Sequence, residues 1–386
     1  MRFFHLSDLH IGKQLFRYHL TEEQTDILHQ IAEAARQRRP DAILIAGDVY
    51  DKAVPAAEAV RMLDDFLTEL SEIRPDIPVL LIAGNHDSKE RLEFASRLLA
   101  RQNIYISALP PETEEDFLRK VTLEDEFGQV HFYLMPFIKP GHVRKWYGET
   151  IESYDQAVHV LLEREQIDTS DRNVLLTHQF YVNGTVLPER SDSEVITVGN
   201  IDSVDVSALE KFDYAAIGHI HRGQIVREER FRYCGSPYPY SVGEGNQQKG
   251  ILEVTLAEKG SQPEIIQIPL EPKRTVSQFR GNLKEALQLA GEDRYEDYIS
   301  LILTDEQTPF ELRETLQNYF PRLLQVRFDN AQTRAILADK TADVETTDPM
   351  EIFSGFFEEL HGRRLNEQET AIVEEVINLA KEQNDR

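Results

Sequence analysis

Five short apolar runs in the first 220 residues end abruptly in clusters rich in Asp, Asn and His, and this pattern constrains the fold more than any other feature of the chain. Phe3–Leu6 runs into Ser7-Asp8-Leu9-His10, Ala42–Ala46 into Gly47-Asp48, and Val79–Ala83 into Gly84-Asn85-His86-Asp87. Val174–Leu176 leads to Thr177-His178-Gln179, and Tyr214–Ile217 to Gly218-His219-Ile220-His221. Each run has strand length, and near-continuous apolarity marks a strand covered on both faces. Helical stretches lie between the early runs. Thr21 with Gln24 reads as a capping box, ahead of Ile27, Leu28, Ile31 and Ala35 on one face. Pro55 reads as the opening of a second helix with a Val60, Leu63, Leu67, Leu70 stripe. Strands alternating with helices predict an α/β sheet whose functional groups gather past the carboxyl ends of its strands. That is where the polar clusters fall.

From about Val121 hairpin patterns join in, over Val121–Leu134, Gln224–Cys234 and Ile251–Leu270. They predict a second sheet and hence a four-layer α/β/β/α sandwich over residues 1–270. Residues 271–340 read as a small α+β capping domain, with helices over Asn282–Leu289 and Pro309–Tyr319 and strands over Tyr298–Leu303 and Leu323–Phe328. With 10 Lys and Arg against 12 Asp and Glu, this unit is close to neutral. The segment 341–386 opens on a polar connector and continues as a C-terminal helical hairpin. Asp348 and Pro349 start the first helix, which carries Ile352, Phe353, Phe356, Phe357 and Leu360. Asn366 and Glu369 box the second, which carries Ile372, Val373, Val376 and Ile377. Two short helices bury both stripes poorly alone, so they dock on their own sandwich or on a partner helix.

Composition excludes several classes. Lys and Arg total 42 against 68 Asp and Glu, a formal charge of −26, so bulk charge does not wrap this chain around nucleic acid. The single cysteine, Cys234, leaves no intrachain disulfide and no thiolate zinc cluster. The N-terminal MRFFHLSDLH turns polar too early for a signal peptide, and the apolar runs fall short of the roughly 18 residues of a membrane helix. The expected location is cytoplasmic.

Set side by side, the strand ends offer Asp8, His10, Asp48, Asn85, His86, His178, His219 and His221. Five of the 12 histidines lie in these clusters. Imidazoles and carboxylates together suit Mn, Zn or Fe, and a carboxylate can bridge two cations about 3.5–4 Å apart. Asp48, leaving a central strand between the other clusters, is the natural bridge. The glycines before Asp48, Asn85 and His219 permit close backbone approach. Ser7 and Thr177 read as ordinary strand-end hydroxyls, and His5 as a core or supporting residue. Arg36, Arg38 and Arg39 read as cations at a helix C-terminus. Arg144, Lys145, Trp146 and Tyr147 suit either a packed loop or a nucleic-acid contact.

The succession D-x-H, G-D, G-N-H-D, a lone His after a strand and G-H-x-H resembles the calcineurin-like metallophosphoesterase superfamily. Within it, the Phe4–Gly12 opening, the stretch Gly235-Ser236-Pro237-Tyr238-Pro239-Tyr240-Ser241 and the small domain followed by a helical pair resemble the SbcD-type bacterial nucleases, relatives of the meiotic-recombination nucleases. The resemblance implies one metal on Asp8, His10, Asp48 and His221 and a second on Asp48, Asn85, His178 and His219. It implies His86 as general acid or transition-state hydrogen-bond donor, oriented by Asp87. Two divalent ions, expected to be Mn2+ with Mg2+ as an alternative, would activate water for in-line attack on phosphorus. Archaeal and eukaryotic relatives carry a functional His three residues after the bridging Asp, where this chain has Asp51, so that role does not transfer.

The resemblance further implies a nuclease component acting on DNA, a double-strand 3'-5' exonuclease and a single-strand and hairpin endonuclease. An SbcC-type coiled-coil ATPase would gate it through the C-terminal helices, in DNA end processing, repair and recombination. A homodimer would form through the Thr21–Arg36 and Pro55–Leu70 helices. The alternative is a phosphomonoesterase or protein phosphatase on the same scaffold. Against it, protein phosphatases carry G-D-x-V-D-R-G and G-N-H-E, whereas this chain has Gly47-Asp48-Val49-Tyr50-Asp51-Lys52 and ends its motif in Asp87. A non-catalytic scaffold is a third reading, opposed by the intact set of ligand types.

Overall fold

The computed structural model describes residues 1–148, 150–194, 202–291, 295–306 and 312–331, with isolated positions beyond (350, 353, 354, 357, 363–366, 369, 370 and 373). Two six-stranded mixed sheets dominate it. In the first, Arg2–Leu6, Ala42–Ala46, Val79–Ile82 and Ile104–Ser107 run parallel in that order. Gly250–Thr255 and then Glu264–Pro269 extend it antiparallel beside Arg2–Leu6. In the second, Gly128–Met135, Arg172–Thr177, Tyr214–Ile217 and Phe231–Tyr233 run parallel. Arg119–Asp125 and Gln224–Ile225 close its two edges antiparallel.

Alternate residues of each strand face opposite ways, which divides the core into three layers. Phe3, Leu44, Leu80 and Ile82 of the first sheet pack against Val130, Phe132, Leu134, Val174, Leu176 and Tyr214 of the second. The Phe3 ring meets Phe132 and Tyr214 edge-on, with centroids 5.7 and 5.6 Å away. Phe4, Leu6, Ile43, Ile45 and Leu81 pack outward on the helices Thr21–Arg38 and Ala57–Ser71. Tyr133, Leu175, Ala215 and Ile217 pack on the helix Tyr154–Arg164. The order of layers is therefore helix, sheet, sheet, helix. Among the described residues no helix is long and apolar enough to cross a membrane.

Several local expectations are corrected. Thr21 and Gln24 form no capping box: the N-cap is Leu20, without a side-chain cap. Gln24 is buried and spends its amide elsewhere, as described below. The second helix begins at Ala57, and Val60 is exposed, because Ala59, Met62, Leu63, Phe66, Leu67 and Leu70 form the buried face. The Ile251–Leu270 hairpin joins the first sheet, since its inner strand pairs with Arg2–Leu6. Arg36, Arg38 and Arg39 do close a helix C-terminus as expected, with Arg36 paired to Glu33 and Glu69, Arg38 to Glu253, and Arg39 in the left-handed region. Arg144, Lys145, Trp146 and Tyr147 lie on a helix, Pro140–Tyr147. There Trp146 donates to Pro111 O and lies under the Arg164 guanidinium, so it is packed rather than free for a base.

A third sheet holds Val276–Gly281, Tyr298–Leu303 and Leu323–Phe328 in that order, its first strand unforeseen in the sequence. In the smaller compact unit, Asn282 and Glu285 cap the helix Leu283–Ala290 reciprocally, each pairing side chain to backbone at 2.9 Å. The helical hairpin expected over 341–386 falls outside the described residues apart from isolated positions.

At the opposite end of the sandwich from the polar clusters, the buried Arg172 joins the two sheets. Its guanidinium donates to Gly128 O, Leu256 O and Ala257 O and pairs with Asp125. Burial would raise the Asp125 carboxyl, but Arg172 and the N-terminal ammonium outweigh it and hold it well below the usual range. A depressed folded value adds stability above the unfolded value, roughly 3.9, that is lost as pH falls. Asp125→Asn should cost about 1–3 kcal/mol at pH 7, the deficit shrinking below about pH 4; urea unfolding at both pH values checks this.

Candidate metal centre

The parallel strands of both sheets end at one rim, and the loops that leave them are stitched together. Asp8 N donates to Gly47 O at 3.1 Å and His10 N to Asp48 O at 2.9 Å, so the D-x-H and G-D loops run side by side. Asp8, His10, Asp48 and His219 all adopt positive φ, at 53°, 43°, 47° and 103°. Such backbone is strained for residues with a Cβ and persists only where the surroundings over-determine it. Gly218 is required for a different reason: a Cβ there would lie 2.0 Å from Ala46 O and 2.7 Å from His178 Nδ1.

The seven side chains expected to hold metal converge. Ligating atoms of Asp8, His10 and His221 lie within 4.8 Å of one another, as do those of Asp8, Asp48 and His178. Asp48 Oδ2 lies 3.3 Å from His178 Nε2 and 3.6 Å from His10 Nε2, between the two groups. Asn85 Oδ1 is 3.1 Å from His178 Nε2 and 2.9 Å from His219 Nδ1. Asp8, His10, Asp48, His178 and His221 are all at most 3% exposed.

Hydrogen bonds fix which nitrogens are free. His178 Nδ1 must donate to Ala46 O, 2.7 Å away, which leaves Nε2 as the ring atom facing the carboxylates. The Nε2 atoms of His10 and His221 stand 3.1 Å apart, and His10 Nδ1 has no hydrogen-bond partner. Two buried carboxylates, four imidazoles and an amide oxygen, with the His10 and His221 Nε2 atoms face to face among them, fit a pair of divalent cations. The electrostatics agree. Burial would lower His178, but Asp48 and Asp8 raise it to about 9. Burial would raise Asp48, yet His178, His10 and His86 hold it well below the carboxylate range. Burial raises Asp8 and keeps His10, His219 and His221 neutral, His219 down to about 3. The pocket thus concentrates carboxylate charge beside three neutral imidazoles, and the proton that His178 carries sits where a cation would replace it.

His86 and Asp87 sit at the edge of this group, but not as a pair. Asp87 accepts from the backbone N–H groups of Gly84, Val49 and Tyr50 at 2.9, 3.1 and 2.9 Å. It therefore binds the G-D loop to the G-N-H-D loop. The His86 ring is oriented by Asp51, whose carbonyl lies 3.0 Å from Nδ1, while His86 N donates to Asp48 Oδ1 at 2.8 Å. Asp51 also joins His10 and His86 in a third convergent group and pairs with Lys13 at 2.7 Å.

Sequence reasoning missed the side chains that hold the D-x-H loop. Gln24 donates from Nε2 to His10 O at 2.7 Å and Leu9 O at 3.1 Å, and its Oε1 accepts from Gly12 N at 2.9 Å. Tyr240 donates to Leu9 O and sets its ring edge-on to His10 and His221. The Gly235–Ser241 stretch carried the only sequence signal for Tyr240, and Gln24 gave none.

With this geometry in place, the family follows: residues 1–223 match the calcineurin-like phosphoesterase model, and the chain belongs to that family. Residues 272–360 match the SbcD C-terminal model, the type 5 capsule protein repressor C-terminal domain. The chain is homologous over its whole length to the SbcD component of the SbcCD nuclease of Staphylococcus saprophyticus, 28% identical over 382 residues and 98% of each chain. The corresponding Staphylococcus epidermidis component is likewise 28% identical, over 385 residues and 98% of each. A solved dimetal phosphatase from Danio rerio, 13% identical, superposes with a TM-score of 0.42 over 69% of this chain and 98% of its own.

Removing the Gln24 amide frees one edge of the ligand loop while leaving every ligand in place. Gln24→Ala is expected to weaken divalent-cation binding about 10–100-fold, the usual scale for supporting residues. Titration of Mn2+ into the purified chain measures it.

Proposed function

We propose that this chain is the nuclease component of an SbcCD-type complex, hydrolysing DNA phosphodiester bonds with two divalent cations, Mn2+ first among them. The observation that carries the reading is the match to SbcD nucleases over the whole chain, small C-terminal domain included. The metal centre alone would serve a monoesterase equally well.

In this reading Asp8, His10, Asp48 and His221 hold one cation, and Asp48, Asn85, His178 and His219 the other. When bound, the two ions supply Lewis acidity toward phosphoryl oxygens and a lowered pKa for water. His86, with Nδ1 committed to Asp51 O, keeps Nε2 for the leaving oxygen and acts as its hydrogen-bond or proton donor. Asp87 acts at a distance from the substrate by locking the two loops that carry Asp48 and Asn85. Residues 1–270 form the nuclease domain and 271–340 the capping domain, which carries little of the −26 charge and so suits an approach to phosphates. The segment 341–386 binds the ATPase that gates DNA entry in the cytoplasm. Dimerisation uses the helices Thr21–Arg38 and Ala57–Ser71. The groove there, of about 380 Å³, is lined by Leu28, Met62 and Phe66 with charged residues around them, which supports the assignment.

The test is cleavage of end-labelled linear double-stranded DNA by the chain with Mn2+, with and without the ATPase partner, beside an aryl phosphate monoester. DNA should be degraded, and His86→Ala should lose about 10²–10⁴-fold in rate while still binding metal. Monoester turnover without DNA cleavage would establish the phosphatase alternative instead.

A further inference from the structure

Behind His221 lies a largely buried charged network. Glu244 is fully buried and Lys249 is 6% exposed, and they pair at 2.7 Å. A buried ion pair is a poor stabilising device, because desolvation consumes most of its attraction, and an apolar pair of similar volume often serves as well. Its connections suggest what it does here. Glu244 Oε1 is 2.5 Å from Ser193 Oγ, which is 2.7 Å from His221 Nδ1, and Glu244 Oε1 itself stands farther from that nitrogen, at 3.4 Å. Lys249 Nζ donates to His221 O at 2.9 Å as well as to Glu244, and Glu194 Oε1 accepts from His221 N at 2.7 Å. The residue is gripped at its amide, its carbonyl and one ring nitrogen.

The direction of the protons follows from chemistry. A carboxylate beside an ammonium is an acceptor only, so the Ser193 hydroxyl donates its one proton to Glu244. The Ser193 oxygen must then accept from His221, which places the ring proton on Nδ1. Nε2 is left with its lone pair, on the side facing His10 Nε2. Carboxylates behind metal-bound imidazoles fix tautomer and ring orientation in this way.

We propose that Glu244, anchored by Lys249 and acting through the Ser193 hydroxyl, is a positioning residue that sets the tautomer and orientation of His221 for the cation shared with Asp8 and His10. This deepens the two-cation reading above and rests on it. Nothing in the network touches Asn85, His178 or His219, so its effect is confined to one of the two cations.

Calorimetric titration of the full chain with Mn2+ alone tests it, with thermal unfolding measured in parallel. The wild type should bind two ions; fewer would fail the two-cation reading itself and so overturn this proposal with it. Ser193→Ala should keep its unfolding midpoint and the affinity of one site while weakening the other about 10–100-fold. Ser193→Thr, which restores a hydroxyl, should recover most of that loss. Glu244→Gln should weaken the same site at least as much; should it fail to fold with Lys249 unpaired, the Ser193 pair of variants decides. Wild-type affinity at both sites in Ser193→Ala, equal loss at both, or no rescue by threonine would each overturn the proposal.

Discussion

The apolar layer between the two sheets is the constraint on which the metal centre depends. Phe3, Leu44, Leu80 and Ile82 meet Phe132, Leu134, Val174 and Leu176 across it, and close packing tolerates little sliding. The register fixes where the parallel strands stop. Leu6 lies beside Ile45, Ala46 beside Ile82, and Ile217 beside Thr177, so the loops that follow open at one rim. The first sheet contributes Asp8, His10, Asp48 and Asn85 there, and the second His178, His219 and His221. A slip of one residue in either sheet would turn every inward side chain outward and scatter the candidate ligands.

Four of those candidate ligands sit in left-handed or neighbouring backbone conformations, which cost of order 1–3 kcal/mol each. The surroundings offset that cost with bonds between loops rather than within them. Asp87 ties Gly84 to Val49 and Tyr50, Gln24 and Tyr240 hold Leu9 and His10, and His219 N donates to both oxygens of Asp8 at 3.1 Å. Each loop is held in its strained form by the other loops. The rigidity is useful, because ligands held in place before the cation arrives lose little entropy when it does.

What could be read in the sequence was whatever the physics writes locally. A strand covered on both faces must be apolar throughout, and a cluster of Asp, Asn and His at its end has few uses, so strands and candidate ligands stood out together. Partners chosen through space did not. Gln24 sits at capping-box spacing from Thr21, yet tertiary contacts claimed its amide. The Ile251–Leu270 hairpin carries nothing local to say which sheet it joins. Nothing in the local sequence marks Glu244 and Lys249 as a buried pair, and Asp87, adjacent to His86, reads as its partner whereas its carboxylate turns toward backbone amides. The amphipathic helices expected after residue 348 lie outside the described residues.

The seven convergent side chains run from position 8 to position 221 and come from both sheets, which gives the centre a mechanical role beside its chemical one. A cation that binds only the closed sandwich acts as a rivet through the two sheets at the rim, while Arg172 fastens them at the far end. By mass action, free metal at 100 times its dissociation constant adds about 2.7 kcal/mol to the folded state for each independent site. The architecture therefore makes the reagents of the reaction part of the frame that holds the enzyme together.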